Sequence, residues 1–156
     1  MLIENYKLQP SFEHVLKRDK HVHASFNNHK NPFEIASKML DEYDRLMPFY
    51  KFYRNVKVLI DGYDRDLLEK EYCMAICRAH QIVDWYQFEQ NKDILPNLLW
   101  EPSTHPNGCM NHEKFWNKIW SIDDPFWKLH HPGDCLDCQC YLSATDKPVT
   151  DDLYRV

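Results

Sequence analysis

Between Asp66 and Gln90 the apolar residues Leu68, Tyr72, Ala75, Ile76, Ala79, Ile82, Val83 and Tyr86 recur at spacings of three and four. That is the period of one face of an α-helix. A helix of this length with a single apolar stripe gains its stability from whatever covers the stripe, so the chain must supply other elements to pack on it. Asp66 and Glu69 form a capping pair at its start. Cys73 and Cys77 lie four apart on one helical face. Such a pair can ligate a metal, but the preferred reading is two small core residues.

Upstream, "NPFEIASKMLDEYDRLMP" (31–48) is expected to be a second helix. Asn31 caps it, Pro32 suits the first helical position, Glu34 completes a capping box and Pro48 stops it. Phe33, Ala36, Leu40, Tyr43 and Met47 would form its buried face. "VKVLIDG" (56–62) reads as a short strand closed by an Asp-Gly turn. Residues 1–30 show no clear period and read as a polar, His-rich extended arm.

After "NKDILPN" the character changes. From Leu98 onward the helical period is lost, prolines, tryptophans and cysteines are dense, and two of the three glycines, Gly108 and Gly133, occur. A boundary near 91–97 divides the chain into a helical region with an N-terminal arm (1–97) and a Cys/His module (98–156). "KIWSI" (118–122) alternates like one arm of a hairpin, and Asp-Asp-Pro in "DDPFW" makes a turn that folds Phe126 and Trp127 back toward Trp100, Trp116 and Trp120. The expected class is α+β: a helical N-terminal part with one long amphipathic helix, and a small, irregular Trp/Cys/His-rich module with a short β-hairpin.

The module holds a C-x2-H (Cys109, His112) and a C-x2-C-x-C (Cys135, Cys138, Cys140), each preceded by a glycine turn. Tight turns of this kind let two side chains separated by two residues aim at one point, as tetrahedral zinc requires of its four N or S ligands. C-x2-H, twenty-two residues, then C-x2-C has the layout of a closed structural site. Metal binding would offset the cost of ordering an irregular loop region. The expected ligands are Cys109, His112, Cys135 and Cys138, with Cys140 and His131 within reach as substitutes. Free thiols and a Cys–His nucleophile are the competing readings. Neighbouring thiols and the lack of a recognisable oxyanion element speak against the nucleophile. Glu113 beside His112 is the one local general base, and no H-E-x-x-H pattern is present. No catalytic residue and no bound organic cofactor is expected.

Net charge is −5 with histidine neutral. General nucleic-acid binding needs a basic footprint that this balance does not give. Residues 101–156 carry nine acids against five bases, while residues 1–58 carry ten bases against seven acids, with His14, His21, His23 and His29 besides. That lean leaves room for weak DNA contact in the N-terminal third; an ordinary solvated face is the plainer account. "MLIENYKLQP" lacks the basic start and apolar run of a signal peptide, and no window approaches the roughly 18 apolar residues of a membrane span. A reducing cytoplasm is expected, where clustered cysteines favour metal or free thiols over disulfides.

Within residues 98–150, Trp100, His112, "DDPFW" (123–127), Pro132 and Cys138-Gln139-Cys140 follow one another in a pattern. It strongly resembles the core of the phage Mu F-like minor head, or head-morphogenesis, proteins. The chain departs from that pattern at Gln139 and Cys109, where the family usually has Arg, at Gly133, where it has a second Pro, and at Cys135, where it often has Gly. Two of these departures, Cys109 and Cys135, supply ligands for the zinc site. The N-terminal 97 residues do not resemble the family's long helical region. The resemblance implies a non-enzymatic component of the virion, associated with portal or capsid proteins, acting in head assembly and DNA packaging or ejection, and present in the host cytoplasm during assembly. Two alternatives stand beside it: a metal-dependent nuclease of the Cys/His-knuckle kind using His130 and His131, and a small phage regulatory or anti-defence binding protein.

Overall fold

The computed structural model describes residues 8–104 and 110–151. Its spine is the long helix α5, Arg65–Gln90 (numbered after the four helices that precede it). Asp64, not Asp66, is its N-cap: the carboxylate accepts from Leu67 N at 2.9 Å. Leu68, Tyr72, Ala75, Ala79 and Ile82 are buried as the stripe requires, Ile76 and Val83 pack partly buried beside them, and Tyr86 gives way to Trp85 as the buried ring near the C-terminal end.

Four short helices share a core with α5: α1 (Phe12–Arg18), α2 (Lys20–His23), α3 (Pro32–Ser37) and α4 (Phe49–Val56). From Phe12 onward the expected extended arm is therefore helical; residues 1–7 lie outside the described part. Elements of seven and four residues are too short to display a period. They are set by their caps instead: Ser11 accepts from His14 N, and Asp19 accepts from His21 N and Val22 N. Val15, Leu16, Val22 and Phe26 are thereby delivered to the core.

The helix expected over 31–48 begins as read, with Asn31 capping Glu34 N at 3.1 Å, but ends at Ser37. Asp41 captures the backbone N–H groups of Tyr43 and Arg45 at 2.8 and 3.0 Å, and Asp44 takes φ of 57°. A short side chain that bonds nearby backbone diverts the chain from helix to turn. Phe33 and Tyr43, placed on the buried face by the sequence, are exposed. The strand expected over 56–62 is not formed. Val56 ends α4, and turns follow to Gly62 at φ 78°. Val56 and Ile60 are buried while Val58 and Leu59 are exposed, so the burial follows a spacing of four and not two.

Beyond α5 lies a three-stranded antiparallel sheet in the order β2-β1-β3, with β1 Asn97–Glu101, β2 Ile119–Ser121 and β3 Tyr141–Thr145. Leu98 pairs with Trp120 and Ala144, and Trp100 with Leu142. Leu98 and Trp100 alternate inward from β1. The arm at 118–122 is thus a strand, paired to β1. The tail returns to the outer side of β2, where Thr150 accepts from Ile119 N at 2.8 Å and donates its own N–H to Ile119 O at 3.0 Å.

Two apolar cores result. One joins α1–α4 to Leu68, Tyr72, Ala75, Ala79 and Ile82 of α5. The other gathers Trp100, Trp120, Trp127, Leu98, Ile122, Leu142, Cys138 and Cys140 around Trp85 of the same helix. The class is α+β, and α5 belongs to both cores.

Candidate metal centre

The centre is built by two loops that the aromatic core holds in place. In "DDPFW", Asp124 accepts from Phe126 N at 2.8 Å, and Trp127 swings inward and donates its indole N–H to Ser121 O at 2.8 Å. This anchors the chain ahead of Pro132. Gly133 then adopts φ of 88°, where a β-carbon would lie 3.0 Å from Arg78 Cγ on α5. The glycine lets the loop settle on the helix, and Arg78 Nε donates to Gly133 O at 2.8 Å. Asp137, at φ 63°, makes the second sharp bend. His112 arrives from the other side at the head of a 3-10 turn, its ring centroid 4.8 Å from that of Trp100.

His112 Nδ1 lies 3.3 Å from Cys138 Sγ and 3.8 Å from Cys135 Sγ. Its other ring nitrogen, Nε2, lies 2.5 Å from Asp134 Oδ1. A carboxylate that takes the Nε2 proton fixes the tautomer in which Nδ1 offers its lone pair to the thiols; metal-bound histidines are oriented in this way. The ligand atoms of His112, Cys138 and Cys140, all buried, lie within 4.8 Å of one another, and those of His112, Asp134 and Cys135 form a second such group. Trp116 Nε1 donates to Cys140 Sγ at 3.4 Å, an outer contact suited to a sulfur carrying negative charge.

The protonation of these groups is tied together. Burial pulls the His112 imidazole down, but Asp134 and the Cys138 sulfur outweigh it and raise it to about 9. Cys138 is held well below the usual thiol range, first by the neighbouring Cys135, Cys140 and Cys77 thiols that donate to it. Cys77 and Cys140 are pushed up, first by that same Cys138 sulfur and then by burial. One thiolate thus forms at the expense of its neighbours. Ionising the others needs added positive charge, which a dication supplies. The buried His/Cys groups can hold a metal ion.

Of the ligands expected from sequence, His112, Cys135 and Cys138 come together. Cys109 lies outside the described residues. Cys140, expected only as a substitute, belongs to the group whose members are all buried. His131 is turned elsewhere, with Nδ1 at 3.2 Å from Pro132 O and its ring edge-on to His21. Glu113 is exposed. Sequence reasoning missed Asp134, whose position directly before Cys135 was a usable signal. Of the cysteine pair on α5, read as core, Cys73 packs partly buried against the helical core, and Cys77 lines a cleft together with Cys138 and Cys140.

Comparison with family models, with curated proteins and with solved structures finds no match to this chain. Among the described residues no helix is long and apolar enough to cross a membrane.

Proposed function

We propose that this chain is a non-enzymatic structural protein stapled by zinc, and that it serves as a minor head component of a phage particle. The observation that carries the staple is the His112 ring, held between Asp134 on Nε2 and the cysteine sulfurs on Nδ1. Three thiols and one imidazole, His112, Cys135, Cys138 and Cys140, match the N/S preference of zinc, and hard oxygen-seeking cations have little to bind there. The buried setting of His112, Cys138 and Cys140 suits a closed structural site. The adjacent histidines support a structural reading as well: His130 packs with its ring centroid 5.0 Å from those of Phe115 and Phe126.

The particle role rests on the resemblance carried by Trp100, His112, Asp123–Trp127 and Cys138–Cys140. In this reading the helical half docks on a portal or capsid protein and the zinc-bound half braces it. Metal analysis of protein purified without added metal should give about one zinc per chain or more, and chelation should lower the melting temperature. A metal-free protein with an unchanged melting temperature in chelator overturns the staple. Purified phage particles should contain the chain together with portal or capsid proteins; its absence from them overturns the virion role and leaves the staple standing.

A further inference from the structure

The outer face of α4 has no part in the zinc centre. From Leu46 to Ile60 the chain has no aspartate or glutamate, yet it carries Lys51, Arg54 and Lys57. All three are exposed, and so is Arg65 at the head of α5. In a chain of net charge −5 this stretch is a local reversal of sign. The acids that flank it are engaged elsewhere. Upstream, Asp41 pairs with Arg45 at 3.1 Å and Asp44 with Lys17 at 3.2 Å. Downstream, Asp64 caps α5. Among the described residues none of Lys51, Arg54, Lys57 and Arg65 forms an ion pair.

These cations lie beside rings instead. α4 buries Phe52 and Val56 in the helical core and leaves Tyr50 55% exposed. Lys51 Nζ lies 6.0 Å and Arg54 Cζ 5.9 Å from the centroid of the Tyr50 ring. Arg65 Cζ lies 5.1 Å from the ring centroid of Phe49 and 5.4 Å from that of Tyr53. Tyr53 and Lys57, one turn apart, line a cleft of about 480 Å³ with Val58, Gly62 and Tyr63. Cations set beside exposed rings offer charge to a phosphate and a flat face to a base. A membrane surface fits less well: an interfacial helix needs its apolar face free to enter the lipid, and that of α4 is already buried. A duplex hides its bases and asks for a wider basic footprint than four side chains.

We infer that the outer face of α4 binds single-stranded nucleic acid, with Lys51, Arg54, Lys57 and Arg65 on its phosphates and Tyr50 against a base. The inference goes beyond the zinc staple and the particle role and depends on neither. α4 packs in the helical core, whereas Cys138 and Cys140 belong to the sheet core. The patch is small and the rest of the chain is acidic, so binding is local, modest in strength and strongly weakened by salt.

The test is fluorescence anisotropy of a labelled oligothymidylate of about 15 nucleotides, titrated with the full chain as purified. With about three or four phosphates contacted, affinity should fall roughly 20- to 50-fold between about 50 and 200 mM salt. Tyr50→Ala should weaken binding about tenfold, and Tyr50→Phe, which keeps the ring, should not. Lys51→Ala with Arg54→Ala should flatten the logarithmic salt slope by about 1.4. An unaltered chain that does not bind the oligonucleotide at low salt overturns the inference. Tighter binding to a duplex of the same length, or to phosphatidylserine vesicles, also overturns it. So does binding that Tyr50→Ala leaves unchanged and that heparin, a polyanion without bases, displaces fully, because charge alone then accounts for it. Salt slope and competition are read on the unaltered chain, so they decide the matter even where a variant fails to fold.

Discussion

Asp134 shows how much of the centre depends on one side chain that never touches the metal in the proposed arrangement. Its Oδ1 accepts a hydrogen bond from His112 Nε2, and its Oδ2 accepts from His131 N at 3.2 Å. Burial opposes its ionisation, yet His112 and the His131 amide hold its carboxyl below the usual range. Asp134→Ala frees the ring to rotate and should weaken zinc binding by about 10–100-fold with the fold retained, as measured by competition with a chromophoric chelator. The same site should release protons when it loads. At neutral pH the metal-free His112, raised to about 9, carries a proton, and so does the raised Cys140 thiol. Binding displaces both, and any proton on Cys135 with them, so about two protons or more leave per ion. Calorimetry in buffers of different ionisation enthalpy reads this number, and affinity should fall as the pH is lowered.

At the scale of elements, the decisive contact is the loop at Gly133 lying on α5. Alanine there must hold φ near 88° and must also displace the Arg78 side chain. Left-handed backbone at a residue other than glycine costs about 1–3 kcal/mol, so Gly133→Ala should lower thermal stability by that order and weaken metal binding with it. A melting curve unchanged from the native one would refute this account. The elements differ in how far the sequence revealed them. The long helix was legible because its stripe repeats through seven turns' worth of chain, averaging out local accidents such as Glu71. That buried carboxylate interrupts the apolar face and is satisfied by His29 at 2.7 Å, Asn28 at 3.2 Å and the Tyr63 hydroxyl. The helices α1, α2 and α4 were hidden because each is only one or two turns long and is decided by its surroundings, whereas the cap of α3 revealed its start but not its end. At the centre, the x2 spacings revealed His112, Cys135 and Cys138, since local turns bring such residues together. The clamp of Arg78 on Gly133 was not legible, because it depends on tertiary packing between residues 55 apart in the chain.

For the whole molecule, the two cores give two optical reporters. All five tryptophans, Trp85, Trp100, Trp116, Trp120 and Trp127, lie in or against the sheet core, while α1 to α4 and most of α5 report through backbone circular dichroism. Cys138→Ser removes the sulfur at the middle of the cluster. It should abolish stoichiometric zinc and shift the tryptophan emission to the red as the sheet core loosens, while the helical signal at 222 nm, an instrumental wavelength set by the peptide group, is largely kept. Loss of both signals together in a single transition would show that the helical half cannot stand without the metal.

The sharing of α5 between two cores also orders events in time. The helical core is made largely of contacts among the first ninety residues, and the sheet core must close a long loop back onto a helix already partly covered. Closing such a loop is entropically slow to reward. An ion captured at its end would convert a fluctuating encounter into a lasting one. Newly made chains would then wait, half assembled, for a metal ion to arrive, and the local supply of that ion would set how quickly they mature.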